Sequence, residues 1–145
     1  MVIIEQILAT GFDVNAVIMK PNITILMLAC SLSHHEAVQS ILKHQPHINL
    51  ADSVGRTALH YACRAGSLEC VRLLLERSDI NIDQRTNGGE TPLMFAALSG
   101  KIELVGECLN RGFNPFLESG LKQTARDFAA HYPNLYGHNL QMLID

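Results

Sequence analysis

The strongest constraint on this chain is that it repeats itself. Four segments open with a threonine ahead of apolar residues: T-I-L-M-L-A-C from Thr24, T-A-L-H-Y-A-C from Thr57, T-P-L-M-F-A-A from Thr91 and T-A-R-D-F-A-A from Thr124, at steps of 33, 34 and 33 residues. A second series keeps step beside it. Val38, Val71 and Val105 each stand three residues before an apolar pair, Ile41-Leu42, Leu74-Leu75 and Cys108-Leu109, and Ile4 with Ile7-Leu8 fits the same frame. A third runs V-N, I-N and I-D at 14–15, 48–49 and 82–83. Such registers mark a repeat architecture, in which one unit cannot bury its apolar face and stacking neighbours do it instead.

The residues at each register say what the unit is. Threonine before Ala or Pro opens a helix, since its hydroxyl caps orphan N–H groups and proline is tolerated in the first turn. Gly66 and Gly100 fall where such a helix of about nine residues ends in a left-handed cap. Val71, Leu74 and Leu75, like Val105, Cys108 and Leu109, are spaced i, i+3, i+4, the apolar stripe of a second helix. Gly55 and Gly88-Gly89 mark tight turns between units. Each unit therefore reads as helix, turn, helix and an extended turn to the next.

These residues resemble the ankyrin repeat. The fullest match runs D-S-V-G-R-T-A-L-H-Y-A-C-R-A-G from Asp52 to Gly66, followed by V-R-L-L-L-E from Val71; G-E-T-P-L from Gly89, with Gly100 and Val105, matches next, and K-Q-T-A-R-D-F-A looks like a terminal repeat. The resemblance covers essentially the whole chain. It implies an all-α ankyrin-repeat solenoid of stacked helix-turn-helix units with short β-hairpin-like connecting turns. The expected division is a single domain over 1–145, with a half repeat at 2–15, repeats at 16–51, 52–85 and 86–118, and a C-terminal capping repeat at 119–145.

The chain also departs from the family pattern. The family histidine appears once, as His60, with Met27, Met94 and Asp127 at the other positions. The resemblance gives His60 a structural role, tying one repeat's backbone to the next. Ser33-His34 replaces the helix-ending glycine pattern, and Asn22 stands where Gly55 and Gly89 stand. Arg126 takes the place of a core leucine, as expected of a capping unit solvated on one side. A short last helix is expected over 138–144. Residues 2–10 read as a second helix without its first, and Val2, Ile3, Ile4, Ile7 and Leu8 wrap more of it than one stripe requires. This is expected of a chain cut from a longer array, or of a face packed on another chain, such as a homodimer.

Composition narrows the function. The formal charge of −3 and 11 scattered Lys and Arg argue against nucleic acid. No apolar run is long enough to span a bilayer, and no basic leader precedes residues 2–4, so a cytoplasmic or nuclear protein with reduced thiols is expected.

No catalytic constellation stands out. G-x-S-x-G is absent, and Gly88-Gly89 lacks the lysine of a phosphate loop. Asp52, Asp83 and Asp127 read as turn or cap residues. Cys30 and Cys63 occupy equivalent places in neighbouring units, but packed helices lie about 8–10 Å apart, while disulfide Cα atoms need less than about 7 Å. His34-His35 and His44-Gln45-Pro46-His47 lack convergent ligand spacing, so no metal and no cofactor are expected. The expected role is a non-enzymatic interaction module that presents a rigid concave groove to a protein or peptide, or a regulatory ankyrin domain of a larger enzyme or channel.

Repeat proteins bind through their concave surface. Carried onto this chain, turn tips and first-helix faces nominate Ile23, Leu32, Ser53, Val54, Arg56, Arg64, Arg85, Asn87, Glu90, Leu98, Leu121 and Tyr132. Ile23, Leu32, Val54, Leu98 and Leu121 are apolar where the framework does not demand it. Arg56, Arg64 and Arg85 come from neighbouring units and are expected to form a small basic cluster, unless Asp52, Asp83 or Glu90 pairs with them. An apolar strip beside three arginines suits a peptide with hydrophobic anchors and a carboxylate or phosphate.

Overall fold

The computed structural model describes the backbone of residues 2–130 and the side chains of 4–130. The helix expected over 138–144 lies outside the described residues. After helix α1 (Val2–Ala9) comes a hairpin of β1 (Val17–Met19) and β2 (Ile23–Thr24), then three helix pairs: α2 (Ile25–Ser31) with α3 (His35–Leu42), α4 (Ala58–Ala65) with α5 (Leu68–Leu75), and α6 (Pro92–Ser99) with α7 (Ile102–Asn110). Helix α8 (Ala125–Ala129) follows.

The first helices α2, α4, α6 and α8 stack on one another in order, and α1, α3, α5 and α7 form a parallel row behind them. This is the solenoid of helix pairs that the repeats predict. Helix α1 sits in the row of second helices, against α3, where the period placed it.

The threonine register is the helix-opening device. Thr24, Thr57, Thr91 and Thr124 are all extended N-cap residues. The third helical residue after each of the last three returns the favour through its side chain. Thr57 donates its N–H to His60 Nδ1 at 3.0 Å, Thr91 to Met94 Sδ at 3.3 Å and Thr124 to Asp127 Oδ2 at 2.8 Å. The residues that replace histidine thus keep its capping-box task. Gly66 and Gly100 close α4 and α6 in the left-handed region, as their spacing predicts. Ser33 does the same after α2, at φ 56°.

Apolar residues of both rows make one continuous core. Val38, Ile41, Val71, Leu74, Leu93, Met94, Leu104 and Val105 are all buried. Cys30, Cys63, Cys70 and Cys108 are buried free thiols, and burial pushes Cys30 and Cys63 well above the ordinary thiol range, so they stay protonated. The core is not purely aliphatic: Phe113 is fully enclosed below the end of α7.

Two ladders of hydrogen bonds stitch the units together. In the turn tips, Ser53 N–H donates to Pro21 C=O at 2.9 Å, Asn87 to Val54 at 2.9 Å and Gly120 to Gly88 at 2.7 Å. A Cβ at Gly55 or Gly89 would fall under 3 Å from the backbone of the next tip, and both sit at positive φ, so these contacts demand glycine. The third sequence register supplies the second ladder. Asn15, Asn49 and Asp83 accept from the backbone N–H groups of His47, Asn81 and Asn114 at 2.7, 2.8 and 3.1 Å. The alternating V-N, I-N, I-D pattern therefore pairs a core aliphatic with an acceptor for the following unit.

Candidate functional site

The turn tips meet the first helices along a depression that Val54, Arg56 and Phe95 help line. Beside it is a polar node around Asp52, whose side chain is fully buried. It accepts from the backbone N–H groups of Val54 and Arg56 at 3.0 and 2.9 Å, from Arg56 Nε at 2.9 Å and from the Tyr61 hydroxyl in a short bond. The Arg56 guanidinium also lies 5.1 Å above the Tyr61 ring. Burial alone would raise the Asp52 pKa; the Tyr61 and Arg56 hydrogen bonds outweigh it and hold the carboxyl below its usual range. Burial and the bond to Asp52 push the Tyr61 phenol up to about 12.

The next unit continues the surface. His60 is buried, and desolvation holds its pKa below the usual value. Because Nδ1 accepts from Thr57 N–H, the ring is the neutral tautomer protonated at Nε2, which donates to Glu90 C=O at 3.1 Å. This is the inter-repeat tie that the family histidine implies. Its ring meets Phe95 edge to face at 5.5 Å. The Arg64 guanidinium lies 5.9 Å from the Phe95 ring centroid, and Arg64 is exposed. Between tip and helix, Val54, Arg56, Thr86, Asn87, Gly88, Glu90 and Phe95 line a depression of about 350 Å³.

The nominated residues divide. Val54, Arg56, Asn87, Glu90 and, through Phe95, Arg64 share this depression or border it. Ser53 and Asn87 belong to the stitched tips: Asn87 Nδ2 also donates to Ser53 C=O at 3.1 Å. Leu32 and Leu121 are exposed, Leu121 to 82%, and Leu98 is half-buried on α6. Ile23 is a correction. It is only 7% exposed, because its backbone pairs with Met19 in the hairpin and its side chain joins the core under α2. Tyr132 lies outside the described residues.

The expected cluster of three arginines does not form. Arg56 is committed to Asp52. Arg85 is exposed at the next tip and lines a separate depression of about 550 Å³ with Phe116, Glu118 and Lys122. Glu90 is likewise engaged, its carboxylate accepting a short bond from Thr86 Oγ1. Arg64 alone is stacked, exposed and without a carboxylate partner among the described residues.

Sequence reasoning missed two features. One is the aromatic content of the face: Tyr61 and Phe95 sit four residues after Thr57 and Thr91, at a position that reads as core, and only their half-burial shows them turned toward the tips. The other is the exposure of β1: hairpin-like turns are expected, but not that Val17, Ile18 and Met19 of one such turn all lie exposed.

Among the described residues, no three His, Cys, Asp or Glu side chains gather as metal ligands, and no helix is long and apolar enough to cross a membrane. A family profile for ankyrin repeats in three copies matches residues 2–86 and 55–119. The chain is 33% identical over 104 residues to the neurogenic locus Notch protein of Drosophila melanogaster, a match spanning 70% of this chain and 4% of that one. It is 28% identical over 140 residues to a probable E3 ubiquitin-protein ligase, XBOS32, of Oryza sativa, covering 76% of this chain and 28% of the relative. It is 31% identical over 96 residues to the human transient receptor potential cation channel subfamily A member 1, covering 61% and 9%. The match takes in less than a third of the length of each of these relatives. With repeat registers, capping chemistry, helix stacking and profile in agreement, the chain belongs to the ankyrin-repeat family and is built as a protein-interaction module.

Proposed function

We propose that the chain works without catalysis, by holding its concave face rigid for a protein partner. The observation that carries this reading is Arg64: an exposed cation over Phe95, with no carboxylate partner among the described residues. Stacked arginine and aromatic pairs are the residue types that anchor protein interfaces. The face is already ordered by the tip and Asn/Asp ladders, so the cost of ordering on binding falls mostly on the partner. Four free buried thiols suit a reducing compartment, which we take to be cytoplasm or nucleus.

The test is a crosslinking capture from cells, comparing wild type with Arg64→Glu on the concave face and Glu69→Lys on α5. The expected result is a partner lost with Arg64→Glu and kept with Glu69→Lys. Equal capture by all three proteins refutes the placement. The lengths of the ligase and channel relatives support a second reading, in which the partner is another part of the same polypeptide. In that case the crosslinks are intramolecular.

A further inference from the structure

Leu28, Tyr61, Phe95 and Phe128 each stand four residues after a capping threonine, one on each of α2, α4, α6 and α8, and all four are half-buried. Tyr61 reaches Asp52 in a turn tip, and Phe95 lines the depression beneath the tips, so the row borders the concave face. Its members repeat at the spacing of the stacked helices, about 8–10 Å.

That spacing selects the backbone of whatever lies across it. A β-strand rises about 3.3 Å per residue and returns a side chain to one face every second residue, about 6.6 Å. It falls out of step after one unit. A polyproline-II segment rises about 3.1 Å per residue and turns once in about three residues, so every third side chain returns after about 9 Å. It stays in step from helix to helix.

Charge adds an independent constraint. Helices α2 and α6 carry no charged residue and α4 carries only Arg64, while the second helices α3, α5 and α7 hold Glu36, Glu69 and Glu103 in their first turns. The acidic residues of the face lie in the tips, where Asp52 bonds Arg56, Glu90 bonds Thr86 and Glu118 pairs with Lys122, and on α8, where Asp127 caps the helix. In the middle of the face stands one exposed cation without a carboxylate among the described residues.

Resting on the groove reading above, we propose that the face takes a polyproline-II segment of a partner protein, with apolar side chains every third residue seated on the Leu28–Tyr61–Phe95–Phe128 row and an acidic residue against Arg64. The aromatic floor supports this choice, because grooves lined by aromatic rings suit the preformed polyproline-II helix.

The experiment is selection of random linear peptides displayed on phage against the wild-type chain, followed by fluorescence polarisation of the selected peptides with Phe95→Ala and Arg64→Glu. Expected is an enriched pattern of apolar residues at i, i+3 and i+6 with one acidic residue. Each substitution should weaken binding at least about tenfold, and changing the peptide's acidic residue to lysine should restore binding to Arg64→Glu. Arg64 is exposed, so this arm survives if Phe95→Ala lowers stability. Selected peptides that lose binding with Phe95→Ala but show alternate-residue spacing, or no charge reversal, overturn the polyproline-II inference and leave the groove reading standing. Peptides indifferent to both substitutions overturn the groove reading itself. Failure to select any peptide overturns the linear-segment inference, while the crosslinking capture still decides the groove.

Discussion

Removing Asp52 is the sharpest test of how the concave wall is held. Four donors converge on this one buried carboxylate: two turn amides, the Arg56 guanidinium and the Tyr61 hydroxyl. A hydrogen bond to a charged group contributes about 1.5–3 kcal/mol. The full sum does not apply, because water reaches the turn amides once the side chain is gone, and Arg56 is already partly exposed. Counting the Tyr61 bond in full and the others as small remainders, Asp52→Ala should cost about 3 kcal/mol. For a chain of 145 residues, the entropy of unfolding converts this at about 3 °C per kcal/mol, a fall of about 10 °C in Tm. The assay is thermal unfolding followed by circular dichroism, with Tyr61→Phe and the double variant completing a cycle. The node also has an acid signature. The folded pKa of Asp52 lies below its unfolded value, so its stabilisation is complete above the unfolded carboxylate value of about 4 and is lost as pH falls below that toward the lower folded value. Asp52→Asn should remove that loss. A Tm shift under about 2 °C, or additive effects of the Asp52 and Tyr61 changes, would refute the reasoning.

Two further outcomes test the core and the inter-repeat tie. Leu74 is fully buried in α5, so Leu74→Ala should cost about 2–5 kcal/mol in urea unfolding while leaving Arg64-dependent binding intact in the folded fraction. His60 is held neutral by burial, with a folded pKa below its unfolded value. Its contribution is therefore present above about pH 6.5 and declines as pH falls, because the unfolded chain takes up the proton first. Wild type should lose Tm between neutral and mildly acidic pH more steeply than His60→Gln; parallel curves would show that His60 is not the titrating group.

The repeat frame was legible because capping and burial act locally at a fixed period. Thr24, Thr57, Thr91 and Thr124 announce helix starts whatever surrounds them, and the Val38, Val71 and Val105 series can face only the neighbouring unit. The Asn15, Asn49 and Asp83 register was visible as a pattern, but its task was not, since an acceptor's partner about thirty residues away is a tertiary fact. The site was less legible for the same reason. Tip residues are constrained on two sides, and sequence does not say which side a chain crosses: Arg56 and Arg85 are equally basic, yet one bonds Asp52 and the other faces Phe116. Ile23 reads as a tip residue because its neighbour Asn22 occupies the Gly55 position, but pairing with Met19 turns it inward. Tyr61 and Phe95 hide in an apolar register, where only depth separates floor from core.

The two ladders give the array a direction. In all six rungs the backbone N–H of the later unit donates to an acceptor in the earlier one. Among the described units, the earlier end of the stack is therefore a donor end and the later an acceptor end. Two copies that extended these ladders into each other would have to meet head to tail, a heterologous contact that propagates instead of closing. A two-fold dimer of this chain must be built from some other surface, and its formation would leave both ladder ends as they are.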